Sequence, residues 1–335
     1  MSCVIGLISI VPLLAQRDTI RTGVDLVVVP ITVTDSNGGF VYGLKKEDFT
    51  IFEDGKLQEI RQVSFDQSSL SVAVLLDTAV DGDTLRSFMD SIMVLSSAFT
   101  DNDEVEVYRF DRRLTVKLSD FTTSHEAFQK SLPVVEGIAG RRGNWGSSLV
   151  LFPELGSRWL RSLLDRNADT RVLNEALFAA AEDLEKRGPN NRKIIIAISD
   201  EQTAKSSSLR LIRDQLVRHN IQFYGVTVGI PLTDGVISPL HTYAYATGGD
   251  VYSGKTRDDM QTAFAQITEL SRHEYVLTYV SNNEVSDLLP VMRKIEVQTT
   301  TPDLKINHRS SYWQYPQPEQ PKPSRKKGVY SAAAF

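Results

Sequence analysis

The chain has 335 residues, of which 41% are hydrophobic and 24% are charged, and its formal net charge is -5. This is the composition of a globular protein with enough chain for one large core or two smaller ones, and it excludes a fibrous or wholly disordered protein. The acidic balance argues against a general nucleic-acid binder, which usually carries an excess of Lys and Arg. The single cysteine, Cys3, excludes an internal disulfide bond and a C-x-x-C metal or redox motif.

An apolar run near the N-terminus, residues 3–15, is the first predicted element. It is shorter than the roughly 20 residues that a membrane-spanning helix needs, so we predict no transmembrane helix here. The run matches the hydrophobic region of a secretory signal with cleavage after Ala15, and the alternative is a buried N-terminal strand. We therefore predict a signal peptide over residues 1–15 and an extracytoplasmic mature protein, either periplasmic or secreted.

The next stretch has the pattern of a small β unit. Residues 24–34 (VDLVVVPITVT) are rich in Val and Ile, as is typical of a strand. A turn cluster of Asp, Asn and Gly follows, a second turn is predicted at Asp54-Gly55, and residues 57–66 have the pattern of another strand. Together these elements predict an accessory β unit over residues 16–69.

From residue 70 onward, apolar strands alternate with amphipathic helices. The segment SVAVLLD (71–77) is a continuous apolar run, as expected of a strand that is covered on both faces. Further strands are predicted at 104–110, 114–118, 193–200, 221–229, 251–252 and 273–280, and helices at about 83–99, 123–132, 172–187, 207–219, 236–247 and 257–272. This alternation predicts an α/β fold over residues 70–282, with a Rossmann-like, mostly parallel sheet flanked by helices.

The C-terminal region is predicted to add β strands over residues 283–315. Because the N-terminal unit is too small for a stable core of its own, we expect these strands to pack with it. Residues 316–335 carry four prolines followed by Arg325-Lys326-Lys327 and lack periodicity, which predicts a disordered tail.

Short segments spread over nearly the whole chain carry a family resemblance. They are VVVPITVTDSNGGFVYGLKKEDFTIFEDGKLQEI (27–60), SVAVLLD (71–77), NEALFAAAEDLEKRGPNNRKIIIAISD (174–200), YAYATGGDVY (243–252), EYVLTYV (274–280), MRKIEVQ (292–298) and INHRSSYW (306–313). In order and spacing they resemble the VWFA-related Acidobacterial domain family, secreted bacterial proteins with a von Willebrand factor type A-like domain. The resemblance implies a Rossmann-like sheet and a non-enzymatic binding role.

Domains of this type often bind a divalent cation at the carboxyl end of the sheet. The family motif is Asp-x-Ser-x-Ser after the first strand, a Thr before a later helix and an Asp after the fourth strand. Here the motif reads DTAVD, in which Asp77 is kept, Ala79 replaces the first Ser and Asp81 replaces the second. The fourth-strand carboxylate is Asp200, and the alignment puts Arg171 at the Thr position. The resemblance therefore implies a degenerate metal site made of Asp77, Asp81 and Asp200.

The chemistry of this altered motif favours a site without metal. A guanidinium at Arg171 is a charge substitute for the cation, because it can pair with the carboxylates of Asp77 and Asp200. We therefore predict a metal-free pseudo-site with no cofactor, in which strand-end carboxylates accept loop N–H groups. Two alternatives stay open, namely the usual magnesium mode and another Mg or Ca mode that uses Asp77, Asp81, Asp83 and Asp200.

Residues 137–168 have no counterpart in the family pattern and are predicted to be an insertion. They contain more arginines than acidic residues and two of the three tryptophans of the chain. A loop before the fourth-strand helix opens at the carboxyl ends of the strands, where ligands of open α/β sheets bind, and Trp and Arg are enriched in interface hot spots. The insertion is therefore a packed lid, a partner-binding surface or both, and the candidate partner-binding residues are Arg141, Arg142, Trp145 and Trp159.

Taken together, the sequence predicts an extracytoplasmic protein-interaction module with a degenerate, metal-free ion-adhesion site. No G-x-S-x-G nucleophile elbow occurs, so we predict that the protein is not an enzyme. The expected partner is an unidentified protein, and neither a nucleic acid nor a small-molecule substrate is predicted. The alternatives are a divalent-cation-dependent adhesion domain and a structural envelope assembly protein.

Overall fold

A computed structural model of the chain describes residues 26–80, 84–86, 89, 91, 96–111, 113–142, 173–188, 191–200, 209–228, 239–284 and 289–316. For residues 139–142 the backbone alone is described. The predicted signal peptide and all of the predicted tail after Pro316 lie outside these ranges. No helix within them is long and apolar enough to cross a membrane.

The elements follow the predicted alternation. The strands are β1 (Leu26–Thr34), β2 (Phe49–Glu53), β3 (Lys56–Gln58), β4 (Ile60–Gln67), β5 (Leu70–Asp77), β6 (Glu104–Phe110), β7 (Thr115–Thr122), β8 (Arg192–Ser199), β9 (Ile221–Thr227), β10 (Val251–Ser253), β11 (His273–Val280), β12 (Val291–Thr299), β13 (Lys305–His308) and β14 (Ser311–Gln314). The helices are α1 (Ser124–Arg142), α2 (Leu173–Glu185), α3 (Leu209–Arg218), α4 (Pro239–Thr247) and α5 (Arg257–Arg272). Residues 84–86, 89 and 91 are also helical, within the first predicted helix.

The central element is a six-stranded sheet with the order β10-β9-β8-β5-β6-β7. All neighbours in it are parallel except β6 and β7, which are antiparallel. Every residue of β5 is buried, which explains its largely apolar sequence, because helices cover both faces of a parallel sheet. The predicted fold class, a mostly parallel Rossmann-like sheet flanked by helices, is confirmed.

Two apolar cores lie on the two faces of this sheet. Val72 and Val74 of β5 pack on one face, in a core that includes Phe128 of α1 and Phe264 of α5. The alternate residues of β5 pack on the other face against α2, α3 and α4. Because successive side chains of a strand point to opposite faces, the helices lie in two layers, with α1 and α5 opposite α2.

The accessory unit consists of two four-stranded sheets with the orders β13-β1-β11-β4 and β14-β12-β2-β3. Strands from both ends of the chain meet here, since β1 pairs with β13 and β2 pairs with β12. The two sheets share one core that contains Val29, Ile51, Leu277 and Val297. Burial alternates over the first five residues of β1, as is typical of a strand that is covered on one face, and the two sheets pack as a β-sandwich.

The position of β11 differs from the predicted domain range 70–282. This strand does not join the six-stranded sheet; it lies between β1 and β4 and is antiparallel to both. Its apolar sequence predicted a strand correctly, but periodicity does not reveal which sheet a strand joins. The α/β domain is therefore inserted into the sandwich between two hydrogen-bonded neighbours, β4 and β11.

Two further local expectations are corrected. Residues 57–66 form two strands instead of one, because the chain leaves the strand conformation at Glu59 after the turn at Asp54-Gly55. That turn is confirmed, with φ values of 49° at Asp54 and 79° at Gly55. Helix α1 continues past Pro133 to Arg142, so the first six residues of the predicted insertion, 137–142, belong to α1.

A buried guanidinium joins the two units. Arg192, the first residue of β8, lies 3.0 Å from the Asp66 carboxylate of β4 and 2.8 Å from the Glu274 carboxylate of β11. It also donates to the Ser271 carbonyl at the end of α5. Burial raises the pKa of Glu274 to about 7 even though Arg192 opposes this shift. Arg192 thus fastens the start of β8 to both strands that lead into and out of the α/β domain.

The units also touch closely at Gly248, which ends α4 with a φ of 83°. A Cβ at this position would lie 2.7 Å from the His308 carbonyl carbon of β13. The backbone therefore needs glycine here both for its left-handed conformation and for the close approach of the sandwich.

Candidate functional site

Two carboxylates lie side by side at one edge of the six-stranded sheet. Asp77 is the last residue of β5, and Asp200 follows β8 directly. Because β5 and β8 are adjacent and parallel, both residues lie at the carboxyl edge. The strand order reverses between these two strands, with β6 on one side and β9 on the other. This is the switch point at which open α/β sheets bind their ligands.

The Asp77 carboxylate is engaged by its own chain. Asp77 is 4% exposed. Its Oδ1 accepts a hydrogen bond of 2.8 Å from the Ala79 N–H, and its Oδ2 accepts one of 2.8 Å from the Ser199 hydroxyl. The carboxylate therefore holds the loop after β5 and ties that loop to the end of β8.

Ser199 is a site residue that the sequence reasoning missed. It is fully buried at the end of β8, next to Asp200. The available signal was a single hydroxyl at the end of an otherwise apolar strand, where a buried hydroxyl needs a hydrogen-bond partner. The predicted pairing of Arg171 with Asp77 stays a prediction, because Arg171 lies outside the described residues.

Few side-chain oxygens at this edge belong to residues that the structure describes. Ala79 has no side-chain oxygen, and the Thr78 hydroxyl donates to the Phe110 carbonyl of β6 at 3.0 Å. Among the residues that the structure describes, no group of three or more His, Cys, Asp or Glu could hold a metal ion. Mg²⁺ prefers about six hard oxygens, and the described edge offers chiefly Asp77 and Asp200. The absence of a bound metal ion stays a prediction.

Most of the other predicted site residues lie outside the part of the chain that the structure describes. Asp81, Arg171, Trp145 and Trp159 lie outside the described residues. Arg141 and Arg142 are the last two residues of α1, and their side chains are not described. The structure therefore places the backbone of these two arginines and does not test the predicted site residues.

The helices on either side of the predicted insertion pack on opposite faces of the sheet. Helix α1 begins at the amino edge, where the Ser124 hydroxyl donates to the Ser96 carbonyl at 2.9 Å, and it packs on one face of the sheet. Helix α2 packs on the opposite face and precedes the parallel strand β8, so it begins at the carboxyl edge. The chain thus enters α2 at Leu173, on the edge that carries Asp77 and Asp200.

A separate buried charge cluster lies beneath α2, away from this edge. Burial raises the pKa of Glu106 to about 8, although Lys117 Nζ lies 3.0 Å from its carboxylate. The Tyr108 hydroxyl donates to Asp183 of α2 at 2.6 Å, and Lys117 contacts the same carboxylate. Hydrogen bonds from Lys117 and its neighbours hold the pKa of Asp183 below its ordinary range despite its partial burial. The cluster joins β6, β7 and α2, which is a structural role.

Comparisons with known proteins give similarity in fold. No family model matches the chain, and no curated protein matches it. BatB from Bacteroides thetaiotaomicron is 14% identical over 61% of this chain and 98% of that protein, with a TM-score of 0.42. An aerotolerance-related membrane protein from Bacteroides fragilis is 13% identical over 60% of this chain and 99% of that protein, with a TM-score of 0.42. A von Willebrand factor type A protein from Catenulispora acidiphila is 9% identical over 83% of this chain and 75% of that protein, with a TM-score of 0.43.

The α/β domain has a von Willebrand factor type A-like fold. Its own topology carries this statement, with parallel strands, one antiparallel strand at the edge next to β6, and helices on both faces. The narrower resemblance, to the Acidobacterial family, stays a prediction.

Proposed function

We propose that this chain is an extracytoplasmic protein-interaction module that binds its partner at the carboxyl edge of the six-stranded sheet without a metal ion. One observation carries the proposal. At the switch point, where such a sheet presents its ligand site, both oxygens of the buried Asp77 carboxylate accept hydrogen bonds from the protein itself.

The metal-free part of the proposal follows from the charges. A carboxylate that already accepts the Ala79 N–H and the Ser199 hydroxyl offers less to a cation than one facing solvent. Arg171, at the position of the family threonine, would supply the positive charge between Asp77 and Asp200. An edge neutralised in this way keeps its shape whether or not divalent ions are present.

The partner-binding part rests on residue types and chain topology. Arg141 and Arg142 end α1, Trp145 and Trp159 follow them in the sequence, and α2 begins at the carboxyl edge at Leu173. Arg and Trp are among the residue types that are enriched in the hot spots of protein interfaces. We infer that this segment contacts the partner and that the protein is not an enzyme.

The test is capture of a partner from envelope extract by the purified full chain, with and without EDTA. We expect the same partner in both conditions, because the edge needs no metal. The double substitution Arg141→Ala and Arg142→Ala should weaken capture, whereas the matched control Arg61→Ala should not, since Arg61 is an exposed arginine on the sandwich.

Two outcomes would contradict the proposal. Release of the partner by EDTA would identify a cation-dependent adhesion domain. Recovery of further copies of this chain alone would identify a structural assembly protein.

A further inference from the structure

A cavity of about 940 Å³ lies between the sandwich and the amino edge of the α/β domain. Asn191 and Arg192 at the start of β8 and Asn220 before β9 form one wall, and β1 and β14 contribute the other. This is the size of a small-molecule binding site. It lies at the end of the sheet opposite Asp77, so it is separate from the proposed protein-binding edge.

Two buried hydrogen-bond donors in residues that line this cavity lack acceptors. They are the Nε–H of Arg309 and the indole N–H of Trp313, neither of which has a partner among the described residues. Buried donors are nearly always satisfied in folded proteins, so each such group calls for an explanation. Both groups donate and neither accepts, so a molecule that satisfies them must present acceptor atoms.

Arg309 forms no close ion pair among the described residues, although Glu274 interacts with it at longer range. Its other two nitrogens donate to the Asn220 side-chain oxygen at 2.6 Å and to the Val28 carbonyl. No carboxylate of the described residues lies within ion-pair distance of it, whereas Arg192 in the same cavity is paired with both Asp66 and Glu274. An arginine that is partly enclosed and unpaired favours an anionic ligand.

Part of the remaining lining is apolar and exposed, beside polar residues such as Lys193 and His219. Leu26 is 57% exposed and Val28 is 43% exposed, and both belong to the face of β1 that borders the cavity. Tyr315, which is 48% exposed, borders it from the other side. The cavity therefore combines a cationic, donor-rich end with an apolar surface.

We propose that this cavity binds a small organic anion, a carboxylate with an apolar body. Its oxygens accept hydrogen bonds from Arg309 and Trp313, and its apolar part covers Leu26 and Val28. A carboxylate oxygen is a strong, charge-assisted acceptor for the remaining N–H of a guanidinium.

The test is isothermal titration of the full chain with sodium octanoate. Octyltrimethylammonium, which has the same chain length and the opposite charge, and sodium acetate, which lacks the apolar body, are the controls. We expect octanoate to bind and both controls to bind at least about tenfold more weakly, since each lacks one of the two recognition elements. Octanoate should also change the fluorescence of the wild-type protein, and this change should be absent in Trp313→Phe.

Variants assign the binding to the cavity. Arg309→Met should weaken octanoate binding by about tenfold or more, and Trp313→Phe, which removes the N–H and keeps the ring volume, should weaken it by a smaller factor. Arg61→Met should bind as the wild type does. If octanoate does not bind, if it binds no better than the cation, or if Arg309→Met keeps wild-type affinity, the proposal is wrong.

A structural measurement keeps the test decisive if Arg309→Met does not fold. Crystals of the wild-type protein soaked in 8-bromooctanoate should show the bromine within the cavity by anomalous scattering. Bromine found at other positions alone would overturn the proposal. Neither experiment depends on the protein partner.

Discussion

Replacement of Glu53 by Ala should destabilise the sandwich severely. The Glu53 side chain at the end of β2 is fully buried. Its carboxylate accepts hydrogen bonds of 2.7 Å from the Tyr279 hydroxyl of β11, from the Ser281 hydroxyl and from the Asn283 amide. The Tyr312 hydroxyl of β14 adds a bond of 3.1 Å. One carboxylate thus connects both sheets of the sandwich.

The magnitude follows from the donors that the substitution leaves behind. A buried donor that loses its acceptor costs about 1–3 kcal/mol. The bonds from Tyr279 and Asn283 are buried, whereas those from Ser281 and Tyr312 are partly buried and regain water more readily. We therefore expect a loss of about 4 kcal/mol in the free energy of unfolding, within the range of about 3–5 kcal/mol for breaking a buried charged network.

The assay is urea denaturation followed by circular dichroism on matched variants. Glu53→Gln should lose less stability than Glu53→Ala, because the amide oxygen still accepts a hydrogen bond. Some loss should remain, because the amide NH₂ group then faces other hydrogen-bond donors. Glu59→Ala is the control, since this side chain is 68% exposed on the same unit and its removal should change stability by no more than about 0.5 kcal/mol.

A loss below about 1 kcal/mol in Glu53→Ala would refute the reasoning, because it would mean that the orphaned donors find other acceptors at little cost. The same holds if Glu53→Ala and Glu59→Ala cannot be told apart.

Three further predictions address pH, metal and processing. Burial raises the pKa of Glu106 from 4.5 to about 8, so folding favours the protonated form of this carboxyl. Its contribution to stability is therefore full below pH 4.5 and is lost as the pH rises through about 8. Glu106→Gln should flatten the fall in Tm over this window, and an unchanged pH profile would contradict that cause. Millimolar Mg²⁺, Mn²⁺ or Ca²⁺ should leave the Tm unchanged, and a rise that Asp77→Ala abolishes would show a working cation site. N-terminal sequencing of the protein from the envelope fraction should begin near Gln16, and a cytoplasmic protein that starts at Met1 would reject the signal peptide.

Local patterns predicted most elements but not how the strands are distributed between sheets. The helix at 257–272 and the strand at 273–280 have the bounds expected from the sequence. The strand nevertheless belongs to the sandwich, because β1 and β4 provide its partners and both precede it by long stretches of chain. Pairing over such distances depends on tertiary packing that a periodic pattern does not encode.

The candidate sites likewise combine features that the sequence predicted with features that only the folded structure shows. The family resemblance implies that Asp77 and Asp200 share one edge, and the structure places both there, since parallel strands align their carboxyl ends. The hydrogen bond from Ser199 to Asp77 could not be predicted without the register of β5 against β8. Arg309 and Trp313 gave no signal in the sequence, because the cavity walls come from β1, β8 and β14, which only the folded arrangement brings together.

The insertion of the α/β domain between β4 and β11 has a mechanical consequence. The chain enters the sandwich at Leu26 and leaves it at Pro316, and both residues line the same cavity. The hydrogen bonds between β4 and β11, which run from His273 opposite Gln67 to Tyr279 opposite Ile60, close the loop that contains the α/β domain. A tensile load applied between Leu26 and Pro316 is therefore carried by the sandwich strands, and the α/β domain bears tension only after the β4–β11 ladder has ruptured.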